Sequence, residues 1–248
     1  MELTVLGCAG TYPGPHSGCS SYLLEHDGFR LLLDAGNFAT GALQRHGELF
    51  DIDAVFVSHL HADHCIDLVA YAYARKYAPQ GPPPLLPVYG PSGTQDRICG
   101  AFDHLPPGEL TDVYDWRDVN PGRLDIGPFT VDLARTAHPI PCHAARLSAG
   151  GRTLTYSADT GPCPGLIDLA RGSDVFLCEA SWQDDGQPLP DGVHLTGRGA
   201  AEHAAKADVG KLLLTHLVPW VDSDRVLSDA AGVFADVAVA RTDARYPV

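Results

Sequence analysis

The sequence predicts a mixed α/β fold in which helices cover sheets that contain both parallel and antiparallel strands. Short β-rich runs alternate with helical patterns from one end of the 248-residue chain to the other. Some neighbouring runs are joined by short glycine turns, as in hairpins, whereas others are separated by a helical pattern, as in β-α crossovers. The Pro-rich stretch at 78–87 is interpreted as a loop, because a strand pattern resumes directly after it. We therefore expect one domain over residues 1–248.

The elements of the N-terminal half are identified from apolar runs and from the turn signals between them. A hairpin is predicted where two apolar runs flank His26-Asp27-Gly28, and a helix where apolar residues recur at helical spacing until shortly before Pro79. In order, the predicted elements are a strand at 3–7, the hairpin at 21–36, a helix at 41–49, a strand at 53–59, a helix at 64–77 and a strand at 86–90.

The C-terminal half shows the same alternation, with Gly150-Gly151 joining two strands in a second hairpin. The predicted strands are 129–138, 144–149, 152–159, 174–181, 211–216 and 237–241. The helical patterns between them are 164–171, 197–208 and 223–236.

Composition excludes several classes of protein. The formal net charge is −14 and there are only three lysines, which argues against a nucleic-acid partner because such binding depends on neutralising phosphates. The seven cysteines are scattered and form no Cys-x-x-Cys pair, as is typical of reduced, buried thiols. The chain has no basic N-terminal region followed by an apolar run and no apolar stretch of about 18 residues, so we expect a cytoplasmic protein without a membrane partner.

The segment His59-Leu60-His61-Ala62-Asp63-His64 lies where a predicted strand gives way to a helix. His59 and His61 are two residues apart, so in an extended segment their rings share one side. Asp63 and His64 stand at the start of the helix and can face a second point. This spacing predicts ligand pairs for two divalent metal ions, with zinc as the first choice and manganese or iron as alternatives. The competing interpretation is a polar turn in which Asp63 caps the helix.

Other strands must supply the remaining ligands. His138, Asp159 and His216 are each the last residue of a predicted apolar strand, at the sheet edge where sites in α/β folds usually lie. Asp34 also ends a strand, and we expect its carboxylate to accept an imidazole N–H and so to orient a ligand. Surface or hydrogen-bonded core positions are expected for the other histidines without this context, namely His16, His26, His46, His104, His143 and His203.

These residues resemble the motifs of the metallo-β-lactamase superfamily: HLHADH matches its H-x-H-x-D-H signature, and Asp34, His138, Asp159 and His216 fall at its other motif positions. The resemblance implies an αββα sandwich with a binuclear site at one edge. Within the superfamily, YSADTGPC, LCEASW and HLTGRGAAEHA are similar to motifs of the phosphodiesterase branch, which holds ribonuclease Z and the class II cyclic-nucleotide phosphodiesterases. Together, LLLDAG, ALQRH, YGPSGT and FLCEASW look most like an actinobacterial group of atypical class II cyclic-nucleotide phosphodiesterases.

The resemblance also implies roles for individual residues. One metal is held by His59, His61 and His138, the other by Asp63, His64 and His216, and Asp159 bridges both. Asp63 additionally holds or deprotonates the nucleophile, while His194 and Glu179 resemble the acid dyad that protonates the leaving group. The alternative is that Glu179 caps a loop and His194 merely precedes a helix cap at Thr196. Asp67 stands where the branch usually has glycine, so the substrate-contacting loop departs from the pattern.

The expected function is hydrolysis of a small phosphodiester, with 3′,5′-cyclic AMP as the best single substrate. Two alternatives stay open: a ribonuclease Z-type endonuclease, against which the lack of a basic RNA-binding arm argues, and an acyl hydrolase of lactones, lactams or thioesters, in which Glu179 and His194 would be idle. The oligomeric state is open, and the solvent-facing residues of 69–77 are the candidate contact of a homodimer.

Overall fold

The computed structural model describes residues 1–102, 106, 109–186 and 190–248, and its framework is a pair of β-sheets. Within these residues the first sheet has eight strands: β1 (Glu2–Ala9), β2 (Gly18–Cys19), β3 (Ser21–His26), β4 (Phe29–Leu33), β5 (Ala54–Phe56), β6 (Leu86–Gly90), β7 (Tyr114–Asp118) and β15 (Arg245–Pro247). Their order is β15-β1-β3-β4-β5-β6-β7, with β2 paired to β1. Strands β4 to β7 run parallel, whereas β15, β1, β3 and β4 are antiparallel.

The second sheet has seven strands in the same part of the chain: β8 (Gly122–Ile126), β9 (Phe129–Arg135), β10 (His143–Ala149), β11 (Arg152–Tyr156), β12 (Val175–Glu179), β13 (Lys211–Thr215) and β14 (Val237–Val239). Their spatial order is β14-β13-β12-β11-β10-β9-β8. Strands β8 to β11 form an antiparallel meander, and β11 to β14 are parallel. Both sheets are therefore mixed, as the sequence predicts.

Three apolar clusters show how the layers stack. One cluster contains residues of both sheets, such as Phe56 of β5 and Phe129 of β9, so the sheets pack face to face. The outer faces pack against helices, as Leu68 and Leu166 do in the other two clusters. The helices are α1 (Ala39–Leu43), α2 (Ala62–Cys65), α3 (Asp67–Lys76) and α4 (Thr94–Ala101) on the first sheet, and α5 (Pro164–Ala170), α6 (Gly197–Ala207) and α7 (Ser223–Ala231) on the second. The predicted αββα architecture is confirmed.

The two predicted hairpins are present and have the expected turns. His26 pairs with Phe29, so Asp27 and Gly28 alone form the first turn, with φ values of 48° and 81°. Gly150 and Gly151 have φ values of 57° and 74° in the turn between β10 and β11. Positive φ at both central residues gives a turn whose twist matches that of the flanking strands.

Some elements differ from the prediction. The helix expected at 41–49 spans Ala39–Leu43, and the one expected at 223–236 ends at Ala231. Strands β7 and β8 and helix α4 were not predicted; the sequences of the two strands, YDWRD and GRLDI, carry charged residues and lack an apolar run. Each of these strands lies at the edge of its sheet, where less of the strand is buried.

Two other expectations concern the chain as a whole. All seven cysteines have free thiols and six of them are buried, in agreement with their predicted role as small apolar side chains. Among the described residues, none of the helices has the length and hydropathy that a membrane span needs.

Candidate metal centre

The histidine-rich segment follows β5 and enters α2, as predicted. Ser58, His59 and Leu60 form no regular structure, and His61 is the residue before the helix, with an extended backbone at φ −68° and ψ 148°. This brings the rings of His59 and His61 to a centroid distance of 4.8 Å. Asp63 and His64 lie in the first turn of α2 and are both buried. The His59 ring is also 4.1 Å from that of His64, so it is the grouping of ligand atoms that assigns His59 and His61 to one set and Asp63 and His64 to another.

The first pair meets His138, which lies on the loop between β9 and β10, three residues beyond the end of β9. His61 Nδ1 is 3.1 Å from His59 Nε2 and 3.1 Å from His138 Nε2. Asp159 Oδ2 lies 3.4 Å from His59 Nε2. One ligand atom from each of these four residues lies within 4.8 Å of all the others.

The second pair meets His216, which directly follows β13. His216 Nε2 is 3.1 Å from His64 Nε2 and 3.2 Å from Asp63 Oδ2. Asp159 Oδ1 lies 3.2 Å from His64 Nε2 and 3.5 Å from His216 Nε2. The two oxygens of Asp159 thus face different groups of ligands, which is the position that a bridging carboxylate requires. All seven residues predicted from the sequence to hold metal come together at one edge of the sandwich.

Hydrogen-bond partners fix the tautomer of two of the ligand rings, those of His64 and His138. His64 Nδ1 is 2.7 Å from Asp34 Oδ2 and His138 Nδ1 is 3.2 Å from the Val193 carbonyl, and since both partners only accept, both nitrogens carry a proton. The contact between Asp34 and His64 is the one expected from the sequence. The Nε2 atoms of these two rings therefore face the centre of the cluster, as in metal-binding histidines.

Hydroxyl groups fix two more rings, those of His59 and His216. Ser58 Oγ donates to Asp34 Oδ2 at 2.7 Å, so at 3.1 Å it can accept a proton from His59 Nδ1. Ser181 Oγ has the Glu179 carboxylate at 2.8 Å as an acceptor, so it accepts from His216 Nδ1, also at 2.8 Å. Neither serine was predicted. Ser58 is next to a ligand in the sequence, but nothing local shows that its hydroxyl turns towards the ring.

Asp34 is fully buried and its carboxylate has four donors. Besides His64, these are the Ser58 backbone N–H at 2.6 Å, the Ser58 hydroxyl at 2.7 Å and the Tyr156 hydroxyl at 2.7 Å. Tyr156 belongs to the opposite sheet and was not identified from the sequence. These donors fix the position of the Asp34 carboxylate, which in turn holds the His64 ring in one orientation.

The inner face of the cluster is suited to metal ions rather than to hydrogen bonds between its own members. His61 Nδ1 has two ring nitrogens at 3.1 Å, and a single proton satisfies only one such contact well. Asp159 Oδ1 is buried and has no hydrogen-bond partner within the described residues. A cation would satisfy these lone pairs together, and the set of imidazoles and carboxylates is one that zinc and similar divalent ions favour.

The first group of histidines is neutral at pH 7. Burial lowers the pKa of His59 and His61, and it lowers the pKa of His138 to about 4. A neutral imidazole is the form that binds a metal, so no proton has to leave before these rings can act as ligands.

For Asp159, Asp63 and His64, unlike the first group of histidines, interactions with neighbouring side chains outweigh the effect of burial on the pKa. Burial disfavours the charged form of Asp159, but electrostatic interaction with the neighbouring His216 and His64 rings outweighs it and holds the pKa of Asp159 well below its usual range. For Asp63, burial is likewise outweighed, first by the hydrogen bond from His216, and its pKa is lowered. Burial opposes protonation of His64, but Asp159 and Asp34 raise its pKa well above the ordinary value. The site therefore contains ionised carboxylates that can offset the charge of bound cations.

Glu179 and His194 are in contact beside the cluster. His194 Nδ1 lies 2.9 Å from Glu179 Oε1, and the ring centroid of His194 is 5.4 Å from that of His216. Glu179 also accepts from the Thr160 backbone N–H at 2.6 Å, and Thr196 is the N-cap of α6. Both interpretations of these residues thus hold geometrically: the acid pair is formed, and the same residues organise the surrounding loops.

The loop after β1 borders the site on another side. The Thr11 backbone N–H donates to Asp63 Oδ2 at 2.8 Å, and Thr11 has a positive φ of 66°. A Cβ added to Gly10 would lie 2.5 Å from the His216 carbonyl oxygen. Glycine is therefore required where this loop passes His216. The contact from Thr11 was not identified from the sequence.

The remaining histidines are mostly as expected. His203 is buried and bonds through both nitrogens, to the Cys163 N–H and the Gly199 carbonyl, and His46 pairs with Asp243. His143 differs, since it is buried but its Nδ1 has no hydrogen-bond partner among the described residues, and we have no physical account of that. His104 lies outside the described residues.

Comparisons with known proteins agree with this geometry. The family described as "Beta-lactamase superfamily domain" matches residues 29–217, a range that contains all seven candidate ligands. The Mycobacterium tuberculosis (strain H37Rv) protein Rv1339 is 42% identical over 242 residues, which cover 94% of this chain and 87% of the relative. The probable metallo-hydrolase YhfI of Bacillus subtilis (strain 168) is 30% identical over 246 residues, covering 98% of both chains.

Solved structures show the same architecture. The crystal structure of YhfI, a metallo-beta-lactamase fold protein, matches with a TM-score of 0.87 at 28% identity and covers 99% of both chains. The short form of human tRNase Z matches with a TM-score of 0.80 at 22% identity, over 100% of this chain and 99% of that one. The sandwich described above is thus shared over its whole length.

Proposed function

The chain belongs to the beta-lactamase superfamily and is a metal-dependent hydrolase, and from that premise we propose that it hydrolyses phosphodiesters, with 3′,5′-cyclic AMP as the substrate. The pair formed by Glu179 and His194 is the observation on which this proposal rests. The alkoxide that leaves phosphorus is a poor leaving group and benefits from a general acid, which is the role that we assign to this pair.

We assign two divalent ions, with zinc as the first choice, to the cluster. Bound there, they would polarise a phosphoryl oxygen and lower the pKa of a water molecule. The proposed ligands are His59, His61 and His138 for one ion and Asp63, His64 and His216 for the other, with Asp159 contacting both.

In this proposal Asp63 also accepts the proton of the nucleophilic water. Its Oδ2 already accepts from the Thr11 N–H, and its side chain is 12% exposed, so Asp63 is the ligand carboxylate that substrate and water can reach more easily. The side chain of Asp159 is 3% exposed, which suits it to a bridging role instead. His194 Nδ1 is engaged by Glu179, which leaves Nε2 to donate a proton to the leaving oxygen.

The charge of the chain favours a small substrate over RNA. Human tRNase Z shares the fold, but binding of a nucleic-acid backbone depends on several Lys and Arg contacts to phosphates. This chain has 17 basic against 31 acidic residues. A cyclic nucleotide presents one phosphate, which the metal centre alone can neutralise.

The test is a panel of four substrates offered to the purified, metal-loaded protein: bis-p-nitrophenyl phosphate, cyclic AMP, a precursor tRNA and nitrocefin. We expect turnover of the first two. His61→Ala should lose activity together with metal, whereas His16→Ala, an exposed histidine on the loop that borders the site, should behave as the wild type.

Turnover of nitrocefin alone would replace the proposal with acyl hydrolysis. Cleavage of precursor tRNA with no turnover of cyclic AMP would assign the ribonuclease function instead. If His61→Ala kept full activity on a substrate, the cluster would not be the site of that reaction.

A further inference from the structure

An aromatic pair lies at the border of the metal centre and has no role in the chemistry proposed so far. The rings of Tyr12 and Trp220 are 5.6 Å apart between centroids and inclined at 33°. Tyr12 is 41% exposed and Trp220 is 62% exposed, so much of the indole faces solvent. Single exposed aromatic residues are ordinary on protein surfaces, but two in contact next to a catalytic centre form a small apolar surface that suits a ligand.

Both rings are on loops that are tied to the metal centre. Tyr12 directly follows Thr11, whose N–H donates to Asp63 Oδ2, and the Tyr12 N–H bonds to the Gly10 carbonyl at 2.7 Å. Trp220 is four residues beyond His216 in the loop between β13 and α7. The loops that carry these two rings therefore adjoin the position that the phosphate of a ligand would take at the cluster.

The two loops are also joined to each other. The Gly10 N–H donates to the Leu217 carbonyl at 3.0 Å, and the Leu217 N–H donates to the Cys8 carbonyl at 3.2 Å. Both bonds are made by Leu217, so the two backbones are held in register directly after His216. The aromatic pair is preorganised by backbone hydrogen bonds, which reduces the entropy lost when a ligand stacks on it.

The other exposed aromatic rings do not share these features. Phe38 lies under the guanidinium of Arg45, 5.7 Å from its ring centroid. Tyr73 stacks on Phe102 with a centroid distance of 4.1 Å, and Tyr77 stacks on Tyr73 along α3 and its end. The loop of Phe38 also bonds a candidate ligand, since Asp34 and Ala35 contact His64, but the Phe38 ring is already engaged by Arg45. Tyr73 and Tyr77 lie on α3 and at its end. Tyr77, at 70% exposure, provides a matched control for an exposed aromatic side chain.

We propose that Tyr12 and Trp220 form a stacking platform for a planar aromatic group of the substrate, a nucleobase, and thereby select nucleotides among phosphodiesters. This inference rests on the proposed function, which places the phosphate at the metal centre. Every base has a π-face, so the platform distinguishes nucleotides from phosphodiesters without a base more strongly than it distinguishes one base from another.

The experiment compares two ligands that carry the same phosphate and differ by the base: adenosine 5′-monophosphate and ribose 5-phosphate. Their dissociation constants are measured by calorimetry on the metal-loaded wild type and on Trp220→Ala, Trp220→Phe and Tyr77→Ala. Stacking on an aromatic ring is worth about a 5- to 150-fold gain in affinity per base. We expect the wild type to prefer the nucleotide by a factor in this range, and the nucleotide to quench the fluorescence of the exposed Trp220.

Trp220→Ala should remove the preference while leaving the affinity for ribose 5-phosphate unchanged, and Trp220→Phe, which keeps a ring, should retain most of it. Tyr77→Ala should bind as the wild type does. The proposal is overturned if the wild type binds the two ligands with equal affinity, or binds neither measurably. It is also overturned if the preference for the nucleotide survives in Trp220→Ala.

The experiment distinguishes failure of the stacking platform from failure of the proposed phosphodiesterase function. Hydrolysis of cyclic AMP together with a preference that survives in Trp220→Ala would retain the phosphodiesterase and refute the platform. A preference that depends on Trp220 in a protein that hydrolyses no phosphodiester would retain the platform and refute the phosphodiesterase.

Discussion

Replacing His194 with alanine tests proton donation to the leaving group, provided that metal content is unchanged, because His194 also lies close to Asp159 and His216 in an arrangement that could hold a metal ion. The leaving group of cyclic AMP is an alkoxide that needs a proton, whereas p-nitrophenolate is stable without one. His194→Ala should therefore lower hydrolysis of cyclic AMP strongly and hydrolysis of bis-p-nitrophenyl phosphate much less. The structure suits this comparison because His194 Nδ1 contacts Glu179 and the ring lies beside His216 without being one of the seven proposed ligands.

The size of the effect follows from the role of the ring. General acid catalysis contributes roughly 10²–10⁴-fold to the rate, which corresponds to about 2.7–5.4 kcal/mol in the activation barrier. Loss of the imidazole should cause little collateral damage. Glu179 keeps the Thr160 N–H at 2.6 Å and the Ser181 hydroxyl at 2.8 Å as donors, so its buried carboxylate is not left unpaired.

Glu179 itself is a poorer target. Its Oε1 accepts from two N–H groups and its Oε2 accepts from Ser181, so the NH₂ of a glutamine would face a donor in either orientation. Ser181 in turn contacts His216. A loss of activity in Glu179→Gln would therefore mix a change at a proposed metal ligand with a change at the acid.

The assay is steady-state kinetics on both substrates, with metal content measured on the same preparations. The loss on cyclic AMP should be found in kcat, with KM changed little, because the proton is donated in the transition state. His16→Ala serves as the control for loss of a histidine near the site. Equal losses of His194→Ala on the two substrates would refute proton donation and assign His194 to binding or structure.

Three further predictions concern the support of the cluster. Asp34→Ala should weaken metal affinity about 10- to 100-fold, measured by titration against a chelator, and an unchanged affinity would show that the carboxylate does not orient its ligand. Gly10→Ala places a Cβ 2.5 Å from the His216 carbonyl oxygen and should lower metal content. Gly100→Ala, where a Cβ meets nothing within 4 Å, is the control and should not lower it. Equal metal contents in the two variants would refute the inferred close approach of Gly10 to His216. Thr196→Ala should lower the free energy of unfolding by about 1 kcal/mol through loss of the helix cap, as measured in urea, and a loss of kcat as large as that of His194→Ala would contradict a purely structural role.

The ligands could be predicted because their signal is local. His59, His61, Asp63 and His64 lie within six residues, and their spacing combined with a strand-to-helix transition already defines two ligand pairs. The positions of the other three ligands follow from strand direction: β9, β11 and β13 run in the same direction, so their carboxyl ends lie at the same sheet edge.

The groups that orient the ligands could not be predicted in the same way. Tyr156 is 122 residues from Asp34 in the sequence and reaches it only because the two sheets pack face to face. The Val193 carbonyl that bonds His138 is a backbone group, so any side chain at that position would permit the contact. Such partners are determined by the packing of distant elements and leave no pattern in composition or spacing.

Backbone strain at the strand ends connects the stability of the fold with the geometry of the site. Asp34 and His216 have φ values of 58° and 57°, and Ala158, directly before Asp159, has 50°, although none of them is glycine. Left-handed positions of this kind cost about 1–3 kcal/mol each and persist only where surrounding contacts fix them.

At Asp34 those contacts are the bond from its own N–H to the Phe56 carbonyl at 2.8 Å and the four donors to its side chain. The ring of His216 is held by Ser181. The same hydrogen bonds therefore hold the strained backbone and orient the ligand rings. It follows that a substitution in this network should lower both the free energy of unfolding and the affinity for metal. A substitution at a distant core position should lower the free energy of unfolding and leave the affinity for metal unchanged.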